Sequence, residues 1–171
     1  MTEAKMQFAL GDAPATEALG AALARSFARC EETSAVVYLH GELGAGKTTL
    51  VRSLLRILGV TGLIRSPTYT LVETYQPAGR LCVHVDLYRL QGPGAVDELG
   101  LRDYFDAPCL MLVEWPEKSG SALPPADLTV ILSYFGDART ALLAAPTARG
   151  REWLAELQRD TSLTPYVSHL T

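Results

Sequence analysis

Strand-like and helix-like runs alternate along the chain. Met6-Gln7-Phe8-Ala9-Leu10 reads as a short strand closed by Gly11-Asp12. Pro14 and Thr16 then open a helix to about Ala28, with Ala18, Leu19, Ala22, Leu23 and Phe27 on one face. Val36-Val37-Tyr38-Leu39 reads as a buried strand. Thr49 to Leu58 reads as a helix whose apolar stripe is Leu50, Val51, Leu54, Leu55 and Leu58. Pro67 blocks a helix and pushes Ser66 to an extended backbone, so Tyr69-Thr70-Leu71-Val72 is expected to be a strand. Across the turn Pro77-Ala78-Gly79-Arg80, Leu81 to Asp86 forms the other arm of a hairpin. Gln91-Gly92-Pro93-Gly94 breaks the chain, and Ala95 to Phe105 is expected to be helical. Cys109 to Val113 is continuously apolar, as in a strand buried on both faces. Leu128 to Phe135 and Thr140 to Ala145 form two strands around Gly136-Asp137, the first alternating weakly as an antiparallel edge would. Thr147 or Ala148 caps a last helix to about Gln158, and Thr161 to Thr171 is expected to be a loosely ordered tail. The division is therefore one domain, residues 1–160, with a tail at 161–171.

Composition narrows the classes. At 171 residues the chain has enough length for a real core, and 48% hydrophobic with 20% charged residues is globular. A net charge of −4, only three lysines (Lys5, Lys47, Lys118) and scattered arginines argue against a broad nucleic-acid-binding face. Cys30, Cys82 and Cys109 are odd in number and set in apolar surroundings, which suits core thiols in a reducing compartment. The start Met1-Thr2-Glu3-Ala4-Lys5 lacks the build of a signal peptide, and no apolar run reaches spanning length. A cytoplasmic location is expected.

The strongest local signal is Gly41-Glu42-Leu43-Gly44-Ala45-Gly46-Lys47-Thr48-Thr49, which fits G-x-x-x-x-G-K-[ST] between a strand and a helix. Its glycines let backbone N–H groups turn inward around phosphate oxygens, and the following helix adds its positive N-terminal end. The backbone from Glu42 through Leu43, Gly44, Ala45, Gly46, Lys47, Thr48 and Thr49 is the expected phosphate cradle. Lys47 would reach the β- and γ-phosphates, and the Thr48 hydroxyl would ligate Mg²⁺. GTPase switches read guanine through Asn-Lys-x-Asp, and this chain contains no Asn, so ATP is the expected nucleotide.

Such a loop needs an acid at the end of a neighbouring strand to hold Mg²⁺ or orient water. Glu114 ends the most apolar strand and Asp86 ends Leu81 to Val85. Glu114 is favoured for the metal or its water and Asp86 for a supporting or switch role, with the reverse order kept open. Ser66, Thr68 and Thr70 follow the loop helix, where nucleotide switches carry the γ-phosphate sensor; a simple turn is the plainer alternative. His84 reads as a hydrogen-bonded core residue ahead of a catalytic one, and His40 and His169 carry weaker signals still. Trp115 is a packed aromatic or a stacking platform. Arg65, Arg89, Arg102 and Arg139 are the arginines available to offset transition-state charge. A small-molecule or nucleotide kinase remains the alternative, although the 86–106 segment is short for a lid and carries only Arg89 and Arg102. A binding module without turnover is a third class.

Four blocks together resemble one family. They are Gly41 to Thr49, Ser66-Pro67-Thr68-Tyr69-Thr70-Leu71-Val72, His84-Val85-Asp86-Leu87-Tyr88-Arg89-Leu90 and Leu112-Val113-Glu114-Trp115-Pro116-Glu117. With Gly100 to Phe105 and Thr16 to Gly20 in support, the chain resembles the TsaE family, the ATPase component of bacterial tRNA threonylcarbamoyladenosine biosynthesis, from about Thr16 to Ala145. The resemblance implies a P-loop NTPase-like three-layer α/β domain with a mostly parallel central sheet and added antiparallel strands. It implies a slow ATPase stimulated by TsaB and TsaD, with tRNA reached indirectly. It also implies Mg²⁺ on Thr48 and Glu114, a first switch at Ser66, Pro67, Thr68, Tyr69 and Thr70, and a second motif at Asp86 needed for ATPase activity. Lys47, Glu114 and Asp86 are the expected catalytic residues, and Thr16 and Arg139 match positions that touch the nucleotide. Residues after about Pro146 lie outside the resemblance.

Overall fold

A computed structural model describes residues 4–30, 34–92 and 94–168. Residues 1–3, Pro93, His169 and the end of the expected tail lie outside the described residues. Eight strands form one mixed sheet: β1 (Ala4–Leu10), β2 (Ala35–His40), β3 (Val72–Tyr75), β4 (Leu81–Asp86), β5 (Cys109–Glu114), β6 (Leu128–Phe135), β7 (Ala138–Ala145) and β8 (Val167–Ser168). Their spatial order is β3-β4-β5-β2-β6-β7-β1-β8. The four central strands β4, β5, β2 and β6 run parallel, and β3, β7, β1 and β8 add antiparallel flanks. The helices are α1 (Ala13–Phe27), α2 (Lys47–Ile57), the four-residue α3 (Gly94–Asp97) and α4 (Ala148–Gln158).

The central strands are apolar on both sides because both sides are covered. Every residue of β5 is buried, as are five of the six in β4. Under α1, α2 and α4 lies the larger core, which joins Phe8, Leu19, Leu23, Leu50, Leu54, Leu112, Leu143 and Trp153. On the opposite face Val83, Val85, Met111 and Val113 pack with Leu87, Leu90, Val96 and Leu101. The third layer expected from the resemblance is thus reduced to short turns over the parallel half of the sheet. Helix α1 starts where Asp12 caps it, the carboxylate accepting from Ala15 N at 2.8 Å. It crosses α2 closely: a Cβ on Gly20 would come within 2.4 Å of the Leu50 carbonyl oxygen.

Several expected elements change. The helix at Ala95 to Phe105 breaks after Asp97, where Gly100 takes φ 61° and a 3₁₀ turn runs over Leu101–Asp106. The strand at Tyr69 to Val72 begins only at Val72, because Thr68 to Thr70 turn and Leu71 has φ 64°. Strand β6 is no edge: it pairs in parallel with β2 and antiparallel with β7. Its alternation reflects a face left open, on which Ile131 is 37% and Phe135 75% exposed. Nor does the segment Thr161–Ser168 trail loosely. Thr161–Tyr166 forms a 3₁₀ turn that buries Leu163, and β8 adds to β1 through Gln7↔Ser168 and Phe8↔Val167. Arg25 Nε donates to Asp160 Oδ2 at 2.9 Å and fastens this end to α1. Burial alone would raise the Asp160 carboxyl, but the hydrogen bonds from Arg25 and Ser162 outweigh it and hold it below the usual carboxylate range. No described helix is long and apolar enough to cross a membrane.

All three cysteines are free, with Cys82 and Cys109 buried. Burial pushes the Cys82 thiol up to about 11 and raises Cys109 and Cys30 as well. The thiolate is the reactive form, so a raised pKa lowers reactivity at neutral pH. In native protein at pH 8, Cys82 and Cys109 should resist a thiol-exchange reagent that titrates all three after denaturation. Rapid labelling of either in the folded state would contradict their placement.

Candidate functional site

The site is built where β2 and β5 end. Between His40 and Lys47 the chain reverses through the glycine loop and enters α2 directly. Gly46, the residue before the helix, has φ 107° and lies so close to α1 that an added Cβ would meet Thr16 Cγ2 at 3.3 Å. Gly41 has φ 144°, and a Cβ there would fall 2.6 Å from the Leu132 carbonyl oxygen. Both positions therefore need glycine for conformation and for space. The β6–β7 hairpin grips the loop from outside: Tyr134 donates its hydroxyl proton to Leu43 O at 3.0 Å, and Arg139 Nη2 donates to Gly44 O at 3.4 Å.

Lys47 opens α2 and is only 4% exposed. Its Nζ donates to Gly41 O at 2.6 Å and Glu42 O at 2.9 Å, and lies 4.1 Å from the centre of the Trp115 ring. Desolvation lowers its pKa, against the opposing pull of Glu114, Asp86 and Glu117. One residue on, the Thr48 hydroxyl donates to the Glu114 carboxylate, 2.9 Å from Oε1 and 3.1 Å from Oε2. His84 Nε2 lies 2.8 Å from the same Oε1. Glu114 is 2% exposed and His84 is fully buried.

The parallel ladder sets Asp86 directly opposite Glu114, so the two acids end adjacent strands side by side. Their partners differ. Asp86 Oδ2 accepts from Ser66 Oγ at 2.7 Å and Thr68 Oγ1 at 3.1 Å, and Oδ1 accepts from Tyr88 N at 3.0 Å. Asp86 thus ties down the loop that follows α2, whereas Glu114 faces α2 itself. Between them opens a cavity of about 410 Å³, lined by Lys47, Thr48, Ser66, Thr68, Asp86 and Glu114, and by Tyr88, Arg89 and Trp115.

The other expected residues divide. Leu43, Gly44, Gly46 and Thr49 line the cavity, Glu42 contributes its carbonyl to Lys47, and Ala45 is buried beneath the loop. Thr16 is 1% exposed and its hydroxyl donates to Asp12 O at 3.4 Å, so it braces the loop from behind and does not line the cavity. Arg139 touches the loop from the hairpin side. Pro67 is buried, with its carbonyl accepting from Leu71 N at 2.7 Å. Thr70 turns to Glu73 at 3.1 Å, and Tyr69 is 82% exposed under the Arg89 guanidinium, 4.3 Å away. Of the four arginines weighed from sequence, Arg89 lines the cavity. Trp115 both packs and lines: its ring lies tilted against Tyr88, 5.0 Å between centres, and covers Lys47. The direct bond between His84 and Glu114 was missed. The signal was present in the period of β4, which puts His84 and Asp86 on one face.

Fold and site define an α/β protein whose cleft lies at the carboxyl ends of parallel strands, between a glycine loop and two acids. The sequence model of the family described as threonylcarbamoyl adenosine biosynthesis protein TsaE matches residues 10–141. The tRNA threonylcarbamoyladenosine biosynthesis protein TsaE of Haemophilus influenzae is 48% identical over 120 residues, 70% of this chain and 76% of its own. The protein of that name from Bacillus subtilis is 31% identical over 135 residues, 79% of this chain and 84% of its own. The crystal structure of YdiB from Bacillus subtilis superposes with a TM-score of 0.77 at 26% identity, over 93% of this chain and 97% of that one. The chain belongs to the TsaE family.

Proposed function

We propose that this protein is a Mg²⁺-dependent ATPase with a P-loop fold, working in the cytoplasm in tRNA threonylcarbamoyladenosine biosynthesis together with TsaB and TsaD. The observation that carries the reading is the contact of Thr48 with Glu114, 2.9 and 3.1 Å to the two carboxylate oxygens, beside Lys47 at the mouth of the glycine loop. A hydroxyl and a carboxylate are hard oxygen donors and suit Mg²⁺, which is held by one or two protein groups together with phosphates and water. Among the described residues there is no cluster of three or more His, Cys, Asp and Glu side chains of the kind an all-protein metal cage needs. Mg²⁺, when bound, would supply positive charge to the phosphates as the terminal bond breaks.

The chain's own groups fall into roles. The glycine loop and the start of α2 would receive the phosphates, and Lys47 would exchange its two loop carbonyls for phosphate oxygens. Glu114 would hold the metal side of the site through Thr48. Asp86, bonded to Ser66 and Thr68, would couple the state of the site to the loop at Ser66 to Thr70. Arg89 is the arginine positioned at the cavity wall to meet developing charge. The absence of Asn favours ATP over GTP, and a net charge of −4 fits a role exerted through protein partners rather than by gripping tRNA.

The test is ATP hydrolysis by the purified protein, alone and with TsaB and TsaD. Slow phosphate release that rises severalfold with the partners is expected. Radiolabel passing from γ-labelled ATP to a small metabolite would instead establish a kinase, and no association with the partners in any nucleotide state would refute the assignment.

A further inference from the structure

His84 is a polar residue in a fully buried strand position. It lies on β4, fully buried, beside Leu112 of β5 and on the same face as Cys82 and Asp86. Its Nδ1 is a buried side-chain nitrogen with no hydrogen-bond partner among the described residues. Polar groups buried at such a cost are usually paired, so a ring kept with one nitrogen unmet points to work done by the other. That other nitrogen, Nε2, lies 2.8 Å from Glu114 Oε1.

The surroundings select the tautomer. A proton on Nδ1 alone would set a bare Nε2 lone pair against a carboxylate oxygen and would bury an N–H with no acceptor. With the proton on Nε2 the ring donates to Glu114, and only an acceptor lone pair goes unmet. Thr48 touches both carboxylate oxygens, whereas His84 touches Oε1 alone. Thr48 by itself therefore leaves the carboxylate free to rotate between equivalent settings. The imidazole removes that freedom by fixing which oxygen turns toward the strand.

We propose that His84 is the positioning residue of the metal site: its Nε2–H pins Oε1 of Glu114 and sets the carboxylate against the Thr48 hydroxyl for Mg²⁺. This rests on the ATPase reading above. Outer groups that orient a metal-binding side chain typically contribute about 10–100-fold to metal affinity. His84 would act through Glu114 and touch neither nucleotide nor metal.

Two measurements test it. In the unsubstituted, ring-¹⁵N-labelled protein with neither nucleotide nor Mg²⁺, His84 should carry its proton on Nε2; an Nδ1-protonated neutral ring overturns the proposal. A fluorescent ATP analogue is then titrated in Mg²⁺ and in EDTA. His84→Leu should bind it in EDTA as the parent does, yet need about 10–100-fold more Mg²⁺ to reach the tighter state. His84→Gln, whose amide N–H reaches the place of Nε2, should recover most of the loss. Unchanged Mg²⁺ dependence in a folded His84→Leu, confirmed by thermal unfolding, overturns the assignment of His84 alone. Equal affinity of the parent protein in Mg²⁺ and EDTA would overturn the ATPase reading, and this proposal with it. Should His84→Leu not fold, His84→Gln and the tautomer decide: full Mg²⁺ dependence in His84→Gln with an Nε2 proton supports the role, and a loss there overturns it.

Discussion

Glu114→Ala is expected to lower kcat by about 100- to 1,000-fold while ATP still binds, the scale of losing one preorganised electrostatic group. The glycine loop, Lys47 and the start of α2 are untouched by the change, so the groups that would hold phosphate persist. What disappears is the acceptor for Thr48 and His84, and with it the acid side of the proposed metal site. Truncation also leaves a fully buried imidazole without its partner, which costs about 1–3 kcal/mol of stability. Thermal unfolding must therefore accompany the kinetics, and Glu114→Gln separates charge from volume. Lys47→Ala should behave differently and weaken affinity and turnover together, because Nζ sits at the loop mouth on Gly41 O and Glu42 O. Phosphate release and calorimetric ATP binding distinguish the two patterns. Normal hydrolysis by Glu114→Ala alongside an inactive Asp86→Ala would reverse the roles assigned to the acids.

The second large effect is expected at Asp86. Asp86→Ala removes the acceptor shared by Ser66, Thr68 and the Tyr88 N–H, the first two being side-chain ties of the loop after α2 to the sheet. ATP affinity should change little, since the hydrogen bonds of Asp86 run to Ser66, Thr68 and Tyr88 rather than to the glycine loop. Turnover and partner stimulation should fall about 10–100-fold, the usual consequence of losing an outer orienting group. Amide hydrogen exchange gives an independent readout: Thr68 to Leu71 should lose protection while α2 keeps it. Unaltered exchange in that loop would mean that Asp86 does not hold it.

Much of this site was legible in the chain, and the reasons differ by element. The glycine loop is written in consecutive residues, so its place between β2 and α2 followed from local chemistry. Glu114 and Asp86 were readable as strand ends because an acid after an apolar run is conspicuous. Their different partners needed the register, since Asp86↔Glu114 and the hydroxyls of Ser66 and Thr68 come together only through the β4–β5 ladder. Thr16 shows the opposite limit. It lies behind Gly46 because α1 crosses there, a tertiary fact that no window of sequence contains. The helix expected at Ala95 to Phe105 failed at Gly100, where a left-handed backbone overrode a permissive apolar pattern. Residues Thr161 to Ser168 were underestimated because a two-residue strand and one buried leucine leave almost no periodic trace.

The pairing of β1 has a consequence for how this chain comes into being. Strand β1 is the first described element, yet its sheet neighbours are β7, which begins at Ala138, and β8, at Val167–Ser168. During synthesis Phe8 and Leu10 must wait until β7, from Ala138 on, has been made before any strand exists to receive them. A nascent chain stalled after β5 would hold the glycine loop, Asp86 and Glu114, but its first strand would be an unpaired apolar edge. Loop closure over so many residues is slow, and exposed edges are where aggregation starts. Residues 138–168, which carry no part of the cavity, are thus the segment that lets Ala4 to Leu10 fold.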